Sequence, residues 1–130
     1  MPCLEISMPR QNPSIRERLT RALTNDFAEY ANYDVAAFGI RFYEYYVGEA
    51  ANAGVVWDGH TGKPYIHFKL FIPERTGQEK RALIKAFTDS FTRCTGKPEW
   101  EPVIYFIEPD DDSIGFAGKS LAEHKRDLQS

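Results

Sequence analysis

Ser14-Ile15-Arg16-Glu17 and Thr76-Gly77-Gln78-Glu79 carry the same punctuation: a hydroxyl residue followed three positions later by a glutamate. At a helix start the hydroxyl accepts from the amide three residues on and the glutamate reaches back, satisfying two donors that the first turn leaves open. Each box opens an apolar stripe. After Ser14 the stripe is Ile15, Leu19, Ala22, Leu23, Phe27 and Tyr30, and the spacing predicts a helix to about Ala31. After Thr76 it is Leu83, Ile84, Phe87, Phe91 and Cys94, with Gly96 as the stop. The boxes lie 62 positions apart, and the same offset takes Pro2 to Pro64. An internal duplication follows from this reading.

Strands flank both helices. Leu4, Ile6 and Met8 alternate with polar positions, and residues 38–46 are dense in aromatic and β-branched types. From Tyr65 to Ile72, one face carries Tyr65, His67, Lys69 and Phe71, and the other Ile66, Phe68, Leu70 and Ile72. Val103 to Ile107 is a fourth strand, ended by Pro109 and the turn Asp110-Asp111-Asp112. Gly48 to Gly54 is a loop or a hairpin arm. The expected fold class is α+β: two β-α-β units, about 1–60 and 61–118, form one four-stranded sheet with two helices on one face, and a polar, peripheral tail follows at 119–130. The other face needs cover. Nine Phe, seven Tyr and two Trp in 130 residues point to other subunits as that cover.

Composition excludes several functions. A net charge of -3 without a basic block gives nucleic acid no electrostatic foothold. No apolar run is long enough to span a membrane. Cys3 and Cys94 read as reduced thiols, which suits a cytoplasmic location. His60, His67 and His124 are too scattered to suggest a metal site, and no glycine-rich phosphate loop is present.

Pro2 is the first candidate for chemistry. With Met1 removed it is a secondary amine at the start of a strand. A free α-amine titrates near ~8, and burial lowers that value because desolvation disfavours the ammonium. The product is a base suited to taking a proton from carbon beside a carbonyl. By itself a proline at position two is most often only the second residue of a chain. Arg41, between Ile40 and Phe42, reads as a charge among aromatics that needs a partner or a ligand. A guanidinium holds a carboxylate by two parallel hydrogen bonds.

The opening Met1-Pro2-Cys3-Leu4-Glu5-Ile6, the capped helix and the repeat together resemble the tautomerase superfamily, over nearly the whole chain. Phe38-Gly39-Ile40-Arg41-Phe42 is similar to the second strand of the carboxymethyl-hydroxymuconate isomerases, which carry an arginine at the position of Arg41. Ile72-Pro73-Glu74-Arg75-Thr76 resembles an arginine-bearing loop shared by several branches. Ser113-Ile114-Gly115-Phe116-Ala117-Gly118 is similar to the aromatic-glycine tail of the fused, two-unit members. Tyr105 fits a tyrosine of the last strand in the cis-chloroacrylic acid dehalogenase branch, although a strand tyrosine is more often core or interface. There are departures. Pro73 stands where the malonate semialdehyde decarboxylases have a first arginine, and Asp34 is out of register with their aspartate. Phe27 and Phe116 stand where the dehalogenases have a histidine and a water-activating glutamate.

The resemblance implies a homotrimeric, cofactor-independent tautomerase or isomerase acting on a small carboxylate-bearing substrate. Pro2 is its base, and Arg41, Arg75, Tyr105 and Phe116 contact the substrate. Two alternatives stand beside it: a decarboxylase or hydratase using the same amine, and a non-catalytic trimeric binding module.

Overall fold

The structure, a computed structural model, describes residues 2–129. Strand β1 (Cys3–Pro9) leads into helix α1 (Pro13–Tyr30), one turn of 3-10 helix (Val35–Ala37) and strand β2 (Gly39–Tyr45). A short hairpin follows, β3 (Ala51–Asn52) and β4 (Val55–Val56). Strand β5 (His67–Phe71), helix α2 (Gly77–Thr95) and strand β6 (Val103–Ile107) make the second unit. A second hairpin, β7 (Gly115–Phe116) and β8 (Lys119–Ser120), and helix α3 (Leu121–Gln129) complete the chain. The main sheet has the order β2-β1-β5-β6. Each crossover pairs its strands in parallel, β1 with β2 and β5 with β6, whereas β1 and β5 meet antiparallel at the centre.

Strand alternation decides which face is buried. Leu4, Ile6, Met8, Phe68 and Leu70 are fully buried, as are Leu19, Leu23 and Phe27 of α1 and Leu83, Phe87 and Phe91 of α2. Each such side chain is worth about 1.5–3 kcal/mol of transfer free energy. The opposite face carries Glu5, Arg41, Tyr43, Lys69, Val103 and Tyr105, and all of these but the half-buried Glu5 are exposed. The sheet with helices on one face is as expected.

The repeat offset is not. The cap of helix α1 lies two residues before Ser14: it is Asn12, whose side chain accepts from the Ser14 amide, and Pro13 occupies the first turn. Proline is pre-set for that position, where its missing N–H costs nothing, so the helix starts earlier than the Ser14 box suggests. The Thr76 box forms as read, with the Glu79 amide donating to Thr76 and the Thr76 amide to Glu79. Asn12 and Thr76 are 64 residues apart, and the rest of the structure keeps that spacing. Asn32 and Gly96, both left-handed, end the two helices. Gln11 and Arg75 donate their amides to Glu44 and Glu108, and Arg16 and Lys80 donate to the same two carboxylates. On this spacing the counterpart of Pro2 is Ile66 and not Pro64.

The spacing also locates a pseudo-two-fold axis. Glu5 and Lys69 are counterparts and stand directly opposite each other in the β1–β5 ladder. Behind the sheet, Asp26 and Ser90 are counterparts too, and the Ser90 hydroxyl donates to the Asp26 carboxylate at 2.6 Å.

The tail, read as merely polar, folds. The Leu121 amide donates to the Ile114 carbonyl, and Lys125 pairs with Asp111 at 2.7 Å. Helix α3 buries none of its described residues, and Leu128 is 87% exposed.

Candidate active site at the start of the first strand

Pro2 lies one residue ahead of β1, in the middle of the sheet, and is buried. Its carbonyl accepts from the Gly39 amide at 3.1 Å, which ties it to the start of β2. On the other side Cys3 is paired with Phe71, so the chain turning from Ile72 into Pro73 passes beside it. Both Ile72 and Pro73 are buried. Phe38, just before β2, stacks on the fully buried Phe27 with ring centroids 4.1 Å apart. The surroundings are therefore largely apolar.

Arg75 comes to the same end of the sheet. Its amide donates to Glu108 at 2.6 Å, and its Nε donates to the Pro73 and Glu74 carbonyls. Its Nη1 donates to the carbonyls of Ala31 and Asn32, at 3.0 and 2.8 Å, and the guanidinium lies 5.2 Å from the Tyr33 ring centre. Arg75 thus closes the open C-terminus of α1, where a cation is favoured. Among the described residues its Nη2 has no hydrogen-bond partner. Burial pushes the Glu108 carboxyl up, but the hydrogen bonds from Lys80 and the Arg75 amide outweigh it and hold the group below its usual range.

Arg41 is exposed rather than enclosed by aromatics. It projects from the open face, 5.3 Å from the Tyr43 ring centre. Alternation along β2 explains this, since Ile40 and Phe42 take the core side. Across the sheet, Arg41, Glu5, Lys69 and Tyr105 form one row. Arg41 and Tyr105 are on opposite edge strands, three strand spacings or about 14 Å apart. Tyr105 is 47% exposed and lies 5.5 Å from His67, which is itself stacked on Tyr65. Burial, then the nearby Lys69 charge, lowers the His67 pKa.

Phe116 belongs to the tail. It stacks on His124 at 4.1 Å, and the His124 Nε2–H donates to the Phe116 carbonyl. It lines a cleft of about 440 Å³ within the tail hairpin. The single chain therefore brings Pro2 and Arg75 to one end of the sheet and places Arg41 just along the open face. It leaves Tyr105 and Phe116 on separate elements. Sequence reasoning passed over Glu5, which stands between Arg41 and Lys69 and accepts a long bond of 3.4 Å from the Tyr43 hydroxyl. Its alternation with Leu4 and Ile6 was the available signal. Among the described residues no cluster of three or more His, Cys, Asp or Glu could hold a metal ion. No helix among them is long and apolar enough to cross a membrane.

Residues 64–124 match the family described as Tautomerase enzyme. A solved structure of native fused 4-OT superposes with a TM-score of 0.85, covering 95% of this chain and 99% of that one at 17% identity. This chain has the tautomerase fold. Pt0534, crystallised after inactivation by 2-oxo-3-pentynoate, gives a TM-score of 0.81 at 23% identity, covering 94% of this chain and 98% of that one. Malonate semialdehyde decarboxylase gives 0.75 at 14% identity, covering 97% and 98%. A search of curated proteins finds no match. The tautomerase resemblance read from the sequence is borne out.

Proposed function

We propose that this protein is a cofactor-independent tautomerase that moves a proton between carbon and oxygen, or along a conjugated acid, on a small carboxylate-bearing substrate. The observation that carries the reading is the burial of Pro2 at the head of a central strand, among largely apolar neighbours. With Met1 removed, that position presents a secondary amine whose ammonium form is disfavoured by desolvation. The neutral amine takes a proton from the carbon next to the carbonyl and returns it at the other end of the enolate. The free Nη2 edge of Arg75 and the guanidinium of Arg41 hold the carboxylate and the developing negative charge.

Assembly as a homotrimer completes this reading. Tyr105 and Phe116 do not reach Pro2 within one chain, and the open sheet face holds exposed aromatics that a neighbouring copy would cover. A fused 4-OT of the same fold, at 20% identity, is described as a symmetric trimer. The two unpaired thiols, Cys3 and Cys94, fit the reducing cytoplasm. Decarboxylation or hydration is less well supported. Phe27 is fully buried and stacked, Pro73 is buried and Phe116 is stacked on His124, so none of these positions offers an acid or a water activator.

The test is chemical. Protein whose intact mass shows Met1 removed should ketonise phenylenolpyruvate, and 2-oxo-3-pentynoate should add once per chain, at Pro2. Full turnover by protein with a blocked N-terminal amine would end the proline mechanism. Absence of turnover and of labelling in the unblocked protein would favour a trimeric binding module.

A further inference from the structure

The pseudo-two-fold axis maps the Pro2 end of the sheet onto its opposite end. There the chain leaves β1 through Pro9, the counterpart of Pro73, and enters Arg10 and Gln11. That end also holds a cleft of about 320 Å³. Its walls carry Arg10, Tyr45, Tyr46, Trp57, Lys97 and Trp100. Trp57 and Trp100 are nearly buried and meet edge to face, centroids 6.4 Å apart, so they form a fixed aromatic floor. The Arg10 guanidinium stands 5.5 Å from the centre of the Tyr46 ring and the Lys97 ammonium 4.9 Å from that of Trp100.

Neither cation has a carboxylate partner among the described residues, and four acids on neighbouring segments are engaged elsewhere. Glu44 is held by Arg16 and the Gln11 amide, Glu49 by the Tyr46 amide and Asp58 by the amides of His60 and Thr61. Glu101 is paired with Lys63.

We propose that this cleft is a second binding site, for a small planar carboxylate such as a conjugated or aromatic acid. The tryptophan floor takes the flat apolar body, and Arg10 and Lys97 take the charge. The volume lies at the lower end of the range for small-molecule pockets. The site binds without reaction, because the counterpart of Pro2 at this end is Ile66, an ordinary peptide unit within the chain. This inference rests on the geometry of the cleft and does not depend on Pro2 being a base.

Both tryptophans of the chain line this cleft, and Trp57 also lines a neighbouring one with Val55 and Lys63, so tryptophan emission reports on binding and the Arg10 and Lys97 substitutions below assign it to this cleft. Sorbate, a planar dienoate that does not absorb at the excitation wavelength of tryptophan, should quench the emission saturably. Arg10→Gln/Lys97→Gln should raise the apparent Kd at least about tenfold while leaving the far-ultraviolet circular dichroism and phenylenolpyruvate turnover intact. Protein with a blocked N-terminal amine should be quenched like the unmodified protein. Uncharged sorbyl alcohol should quench weakly and without saturation. Absence of saturable quenching by sorbate, equal quenching of the double variant, or equal quenching by the alcohol would each overturn the proposal.

Discussion

The two β-α-β units share a frame and differ at its open ends. In both, a glutamate at the end of the second strand takes one hydrogen bond from a loop amide and another from a cation in the first half of the helix, Gln11, Arg16 and Glu44 in one unit and Arg75, Lys80 and Glu108 in the other. What departs is the residue that each glutamate clamps. Gln11 spends its side chain on the neighbouring carbonyls of Pro9 and Arg10. Arg75 reaches across to the end of α1 and keeps one edge free. The strand heads depart as well, since Pro2 can carry a free amine and Ile66 cannot. Under the proposed function, a duplicated frame with unequal ends would give one end to proton transfer and leave the other only to bind.

The sharpest way to break this asymmetry is at Pro2. Blocking its amine with an N-terminal extension should cut phenylenolpyruvate turnover by about 10²–10⁴-fold, the usual contribution of a positioned base, with the circular dichroism unchanged. Pro2→Ala keeps an amine, loses the ring, and should fall between the two. Activity of the free amine should rise with pH through a pKa below ~8.

Next in size is the shared clamp. Glu44→Ala and Glu108→Ala each leave a cation and a loop amide without their acceptor, and should cost about 1–3 kcal/mol in urea unfolding. Glu44 should cost more, because its side chain is 9% exposed against 18% for Glu108. Equal losses would mean that burial does not set the difference.

Arg75→Ala should raise KM for carboxylate substrates and lose about 1 kcal/mol through the α1 terminus, whereas Gln11→Ala should change neither by a measurable amount. Arg75→Lys separates the two effects, since it restores charge but not the fork.

The smallest effects are in the pH dependence of stability. Glu108 titrates below its unfolded value of ~4.3, so its contribution is present above that pH and fades as pH falls through the lower folded value. Asp26 has the opposite sign. Burial raises its pKa despite the hydrogen bond from Ser90, so it costs stability once pH rises through the folded value. Asp26→Asn should raise Tm slightly at pH 7, and the gain should vanish at pH 3. A gain that persists unchanged at pH 3 would assign it to packing.

Much of this frame was legible in the chain. The stripes of both helices, the alternation of Leu4, Ile6 and Met8, the Thr76 box and the limits of Val103–Ile107 are local patterns, and local patterns survive into the fold. The misreading at Ser14 shows what such patterns leave out. A capping box matched, but Asn12 followed by proline was the stronger start, and the two-residue error propagated into the repeat offset and into the pairing of Pro2 with Pro64. The pairing of β1 with β5 depends on contacts between residues far apart in sequence, and no window records it. The folding of the tail was missed because α3 is short and polar and buries no residue in the core. For the site, the types of Pro2, Arg41 and Arg75 drew attention. Their placement at one end or on the open face was decided by strand parity and by the reach of Arg75 to α1.

The Glu5–Lys69 pair on the pseudo-two-fold axis carries one more consequence. Two identical half-length chains meeting across that axis would each set position five against its own copy. A charged side chain there would face a like charge directly across the ladder, which is unfavourable. Joining the halves into one polypeptide lifts that rule, because each copy can mutate alone. An acid can then confront a base at a locus where a homodimer is confined to neutral or self-repelling choices. The same freedom permits a serine opposite Asp26 instead of another aspartate. Covalent linkage thus enlarges the set of permitted sequences at the places where symmetry is most restrictive.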